Sequence, residues 1–185
     1  MIDILGLVYD FILKYAQGEG VPPLKENQIV RGWQNSAVLP NNSEFVIITL
    51  LNSYRKGRNI HYNSNDVDYK ETLDKLTEHV IQVDFCSNHP TTSTQVTQHR
   101  AEILETVASS YISCDFFKKA DKRLNFLNCD GVHAFNNIDD TQNITCRYMM
   151  TLHITEHVQA NLYPQTFVNV NIKTKEIDTY FKGDN

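Results

Sequence analysis

Four cysteines and seven histidines are the side chains in this sequence that could hold a metal or carry a nucleophile. Cys86, Cys114, Cys129 and Cys146 form no CxxC pair, and the intervals between them are long. A closed zinc site ordinarily shows at least one close ligand pair, so the spacing argues against metal. A nucleophilic cysteine needs a base and electropositive surroundings. Cys114 precedes Asp115 and Cys86 follows Asp84-Phe85, settings that do not lower a thiol pKa. The cysteines therefore read as reduced, buried, small apolar residues. His153 and His157 would share a face on a helix, but the residues around them alternate as in a strand, where i and i+4 lie roughly 13 Å apart. His79, His89, His99 and His133 have no carboxylate or cysteine at ligand spacing and read as surface or loop residues.

Asp139-Asp140 is the one acidic doublet. Two carboxylates could hold Mg²⁺ for a nuclease. Their neighbours Asn136, Asn137, Thr141, Gln142 and Asn143 instead predict a solvated hairpin tip. Lys118, Lys119, Lys122 and Arg123 form one basic cluster, and Arg55, Lys56 and Arg58 another. With 17 basic against 22 acidic side chains and a net charge of −5, these read as solvated surface rather than a phosphate track. No glycine-rich phosphate loop, GxSxG elbow or HExxH occurs. The expectation is a protein without catalytic residues, cofactor or metal.

The elements that would position any site follow from periodicity. At 185 residues, 41% hydrophobic and 21% charged, the chain suits one globular domain. No apolar run approaches the roughly 18 residues of a membrane span. The short run Ile4–Val8 lacks the basic leader of a signal peptide. Ile4, Leu5, Val8, Phe11, Ile12 and Tyr15 predict an amphipathic helix over 2–17, stopped by Gly18, Gly20 and Pro22-Pro23. Its stripe must bury itself on the domain's own sheet or on a neighbouring subunit. Residues 21–43 read as an extended connection holding a short strand or turn at Ile29–Asn35. Phe45–Leu51 predicts a strand buried on both faces, and 53–65 a long exposed loop or hairpin tip.

Tyr69–Phe85 predicts one or two strands, with strand preferred over helix for 70–79. From Thr91–Ser93 a long helix is expected to about Ser113, followed by a second turn or a short helix at 115–122. Leu124–Phe135 predicts one or two short strands around an Asp130-Gly131 turn. Ile144–Thr155 is the cleanest strand. Cys146, Tyr148, Met150, Leu152 and Ile154 share one face, and Arg147, Met149, Thr151 and His153 the other. Phe167–Ile172 reads as a last strand before a polar tail. The fold class is α+β, a mainly antiparallel β-sheet packed by one long helix, with an N-terminal helix. The domain layout is 1–20 N-terminal helix, 21–175 single α+β domain and 176–185 polar tail.

One string is unusual: Arg31-Gly32-Trp33-Gln34-Asn35, then Leu39-Pro40, then the apolar strand from Phe45. Arginine offers rigid donors and the two amides offer donors and acceptors, suited to fixing a turn. The string resembles the neck-terminator (tail-terminator-like) protein family of tailed bacteriophages, on Arg31, Gly32, Gln34, Asn35, Leu39 and Pro40. Gln82-Val83-Asp84 resembles the strand before that family's long helix, and Arg147 an arginine in its later strand. Cys86–Pro90 departs from the glycine-containing turn of that family.

The resemblance implies a virion structural protein. Such a protein forms a ring, typically a hexamer, between the head-tail connector and the tail tube, capping tail polymerisation and enabling head-tail joining. Its implied partners are further copies of itself, connector or adaptor proteins and the tail tube protein. Genomic DNA would pass through the lumen unbound, and assembly would occur in the host cytoplasm. Arg31, Gly32, Gln34, Asn35 and Arg147 are the expected turn-fixing or subunit-contact residues. The alternatives are a small α+β ligand- or protein-binding module without a phage role, and a nuclease built on Asp139 and Asp140.

Overall fold

A computed structural model describes residues 2–32, 44–63, 70–87, 92–138 and 144–162. Helix α1 spans Ile4–Tyr15, and the Asp3 side chain caps it by accepting from the Gly6 N–H at 2.9 Å. Its stripe of Ile4, Val8, Phe11 and Ile12 is buried. The Phe11 ring lies 5.1 to 5.4 Å from those of Tyr15, Phe116 and Phe117. The stripe thus packs inside this chain's own core.

The described strands form one mixed sheet. Strand β1 (Ile29–Arg31) runs parallel to β2 (Glu44–Asn63), with Ile29 opposite Val46. β2 is antiparallel to β3 (Lys70–Ser87), and β3 to β6 (Ile144–Leu162). The far edge of β6 carries first β5 (His133–Ile138) and then β4 (Leu124–Cys129). The order is β1-β2-β3-β6-β4, with β5 collinear with β4 on β6. One side is covered by α1, α2 (Thr92–Ala108) and α3 (Tyr111–Ala120). Ile48, Ile81, Val83, Phe85, Met150, Leu152 and Ile154 meet Phe11, Leu104 and Phe117 there in one core.

The alternation of Ile144–Thr155 and the strand at 70–79 stand as expected. Four expectations change. Residues 53–63 are strand rather than a long loop or hairpin tip, paired from Ser53 opposite His79 to Asn63 opposite Lys70. This stretch extends past the short β1 partner, and Ser53, Tyr54, Arg55 and Lys56 are exposed, so it lacks the apolar run that marks a core strand. Its tip, 64–69, lies outside the described residues. Phe45, Val46 and Ile48 are buried, but Leu50 and Leu51 are exposed, because β1 pairs only residues 46–48 of β2.

The long helix ends at Ala108 rather than about Ser113, and the next one begins at Tyr111 rather than 115. Ser110 is extended (φ −100°, ψ 171°) and caps α3 by accepting from the Ile112 N–H. The Ser110 and Ser113 hydroxyls donate to the Val107 and Ala108 carbonyls that the break frees. Serine's competition for backbone groups makes such breaks inexpensive. Asp130-Gly131 is no hairpin turn either. β4 and β5 both pair with β6, and the Asp130 N–H donates to the Thr151 carbonyl as the chain steps from one to the other. The strand expected at 167–172 and the tail after it lie outside the described residues.

Candidate functional site

Arg31 ends β1 and reaches back to the start of α1. Its Nη2 lies 2.8 Å from Asp3 Oδ2, so one carboxylate caps the helix and anchors the strand. The Gly6 N–H, and then Arg31, hold the Asp3 carboxyl below its ordinary value. Both side chains are substantially exposed, and such a pair contributes about 0–1 kcal/mol. Gly32 donates its N–H to the Ile48 carbonyl at 2.7 Å. A Cβ at Gly32 would press on Thr49 Oγ1 and sit 3.2 Å from Thr49 Cβ, so the close approach of the two strands requires glycine. Gln34 and Asn35 lie outside the described residues, as do Leu39 and Pro40.

Arg147 stands on the sheet face away from the helices. The β3–β6 register places it opposite Cys86 and brings it to Asp84. Its Nε and Nη2 donate to the two Asp84 oxygens, both at 2.9 Å, and Gln82 Nε2 donates to Oδ2 at 2.7 Å. Asp84 is only 2% exposed. The two-pronged pair fixes the guanidinium plane, and the Asp84 hydrogen bonds raise the Arg147 pKa. The sequence singled out Gln82, Asp84 and Arg147 separately; the fold makes them one cluster.

Beside it, burial and then Asp84 push the Cys86 thiol up to about 12. Cys146 is buried too, whereas Cys114 and Cys129 are half-buried, which corrects the expectation that all four are interior. Iodoacetamide at pH 8 should accordingly label Cys114 and Cys129 in the native protein and reach Cys86 only in denaturant. Peptide mass spectrometry reads the order, and early labelling of Cys86 contradicts it.

Two histidine clusters escaped sequence reasoning. His153 Nδ1 lies 2.8 Å from Glu78 Oε1, and its Nε2 lies 3.5 Å from Asp130. Lys56 pairs with the other Glu78 oxygen at 2.5 Å. In the second cluster Ser53 Oγ is 2.9 Å from His79 Nδ1, and His79 Nε2 is 3.3 Å from Glu156. The acids come from other strands, 75 and 77 residues away in sequence, so local spacing could not show them. The connectivity Ser-His-Glu is that of an acyl-transfer relay, but such a relay also needs free backbone donors at the nucleophile. The Ser53 N–H is already engaged by Asn52 Oδ1 at 2.7 Å, so the cluster reads as cross-strand hydrogen bonding.

Hydrogen bonds from Lys56 and then His153 hold the Glu78 pKa below its ordinary 4.5. A depressed carboxylate stabilises the fold above its unfolded pKa. That stability is lost as pH falls through the lower, folded value. Glu78→Gln should therefore flatten the stability–pH curve below about 4.5. Urea unfolding between pH 3 and 7 measures it, and an unchanged acid limb refutes the assignment.

Arg100 was missed as well. It occupies a stripe position of α2 four residues before Leu104 and is 2% exposed. Nη1 donates to the carbonyls of Ala16 (2.6 Å) and Pro22 (2.8 Å), and Nη2 lies 3.1 Å from Glu44 Oε2. Thr97 donates to the other Glu44 oxygen. One guanidinium thereby joins α2, the end of α1, the following loop and the start of β2.

Among the described residues no three His, Cys, Asp or Glu side chains converge as metal ligands, and Asp139 and Asp140 lie outside them. In the basic cluster around the end of α3, Lys119 pairs with Asp115 and Arg123 with Asp121. Among the described residues no helix is long and apolar enough to cross a membrane. What the geometry offers is a set of clamps between elements: an arginine at the end of β1, another on the open sheet face and a third in the core. No curated protein matches the chain. A family model described as phage neck terminator protein matches residues 3–178, a span that takes in every strand and helix above, and the chain belongs to that family.

Proposed function

We propose that this phage structural protein is a ring-forming neck terminator. Copies of the chain close into an annulus, a hexamer, between the connector and the tail tube. The annulus stops tail polymerisation and presents a surface to the DNA-filled head. The family match over residues 3–178 carries the reading. Its partners are then further copies, connector or adaptor proteins and the tail tube protein, and assembly takes place in the host cytoplasm before the protein enters the virion.

The function is mechanical. Arg31, Gly32, Gln34 and Asn35 serve to fix a turn or a subunit contact, and Arg147 serves the same contact or the lumen. A net charge of −5 disfavours adhesion to phosphates, so the genome passes without specific binding. Phage propagated without this gene should yield filled heads and unjoined tails by negative-stain microscopy, with the gene supplied in trans restoring joined particles. Cryo-electron microscopy of the restored neck should show the annulus; joined, infectious particles without the protein sink the proposal.

A further inference from the structure

The two lateral edges of the sheet carry different apolar patches, and the charges next to those patches differ in sign. At one edge β2 runs on alone after residue 48, since β1 pairs only 46–48 and no other described strand lies outside it. There Leu50, Leu51 and Tyr54 are exposed, Tyr54 by 51%. Leu51 falls at a register shift between Leu50 and Asn52. The flanking charges of this strand are basic: Arg55 follows, then Lys56, which pairs with Glu78 of β3, and no acid occurs between Phe45 and Lys56.

At the other edge β4 is outermost. Leu127 falls at a register shift between Phe126 and Asn128 and is 52% exposed. It borders a cleft of about 390 Å³ between β4 and the α2–α3 corner, lined by Tyr111, Cys114, Phe126 and Cys129 among others. Tyr111 is 81% exposed at its rim. The charges beside the cleft are acidic, since exposed Asp130 follows β4 and Glu105 lies against Gly131, while the exposed pair Lys122-Arg123 stands at the opposite end of β4, with Arg123 held by Asp121.

Bulges at sheet edges re-aim side chains, and here each presents a leucine outward. Exposed aromatic and aliphatic anchors beside a cleft are the composition of a binding hot spot. A closed ring needs two unlike, mutually complementary patches on each subunit. Resting on the ring reading above, we infer that the β2 edge of one copy, through Leu51 and Tyr54, docks on the β4 edge of the next, at Leu127 and the adjoining cleft. Arg55 of the first faces Asp130 and Glu105 of the second. The occupant of the cleft is a second copy of this chain.

The test uses two full-length variants, Tyr54→Asp and Leu127→Asp, each judged folded by circular dichroism and melting. Size-exclusion with light scattering should give a closed oligomer for the unaltered chain and monomers for each variant. An equimolar mixture has one intact pair of faces and should stop at a two-subunit species. Either variant that still closes the ring alone, or pairs with itself, overturns the inference while leaving the ring standing. Where the ring closes only within the particle, necks built with each variant should lack it by cryo-electron microscopy, and a normal neck overturns the inference. An unaltered chain that is monomeric in solution and forms no annulus in the particle overturns the ring reading itself. If aspartate unfolds either chain, alanine at the same position replaces it, with at least tenfold weaker association expected and unchanged association overturning the inference.

Discussion

Arg100→Met should lower stability by about 3–5 kcal/mol, the scale for removing one partner of a buried ion pair. The loss has a local cause. Glu44 keeps only Thr97 as a described side-chain donor, and the carbonyls of Ala16 and Pro22 lose Nη1. Those carbonyls sit where α1 ends and the loop toward β1 begins, so the damage falls on the seating of α1. Urea unfolding gives the magnitude, and hydrogen exchange should show α1 opening first. The control is Arg100→Met combined with Glu44→Met. Replacing both charges with apolar groups removes the stranded carboxylate and should recover part of the loss. A single variant within about 1 kcal/mol of the unaltered protein would refute the assignment, since surface-like substitutions fall in that range.

Arg100 also shows where sequence reasoning ran out. The α2 stripe was legible from its apolar positions, yet periodicity treats an arginine on the buried face as noise. The useful signal was its place four residues before Leu104, on the side where a charge must find partners. The strand of Cys146–Ile154 was legible because one face meets the core and the other does not, so composition alternates with the pleat. Residues 53–63 were not, because the β2–β3 ladder there runs beyond the core residues that mark the rest of the sheet, and backbone pairing leaves little compositional trace. Ser109-Ser110 was legible in principle, as an N-cap inside a continuous stripe, but the stripe's apolar run dominated. The histidine partners were invisible because register, not spacing, sets cross-strand neighbours. At the end of β1, Arg31 pairs with Asp3 and Gly32 donates its N–H to the Ile48 carbonyl. The unforeseen element is Asp3, which links the motif to the N-terminal helix.

Arg147→Met should be nearly as damaging, at about 3–5 kcal/mol, because it strands Asp84. That carboxylate is 2% exposed and would keep only Gln82 among its described side-chain donors. Arg147 itself is more than a third exposed, so the burden falls on the acid rather than on the arginine. The reverse variant, Asp84→Val, leaves a guanidinium that water can reach and should cost less. The double variant Asp84→Val with Arg147→Met removes both charges and should recover most of the loss, which chemical unfolding of all four proteins measures. Recovery of stability then separates two roles for the arginine. A residue that only neutralises Asp84 becomes dispensable once Asp84 is gone, and neck assembly returns with the fold. A residue that also reaches a neighbouring subunit or the lumen does not, and the double variant is stable but fails to join heads to tails. Stability tracks the pair, whereas assembly tracks the exposed part of one side chain, so the two measurements together decide what Arg147 contributes.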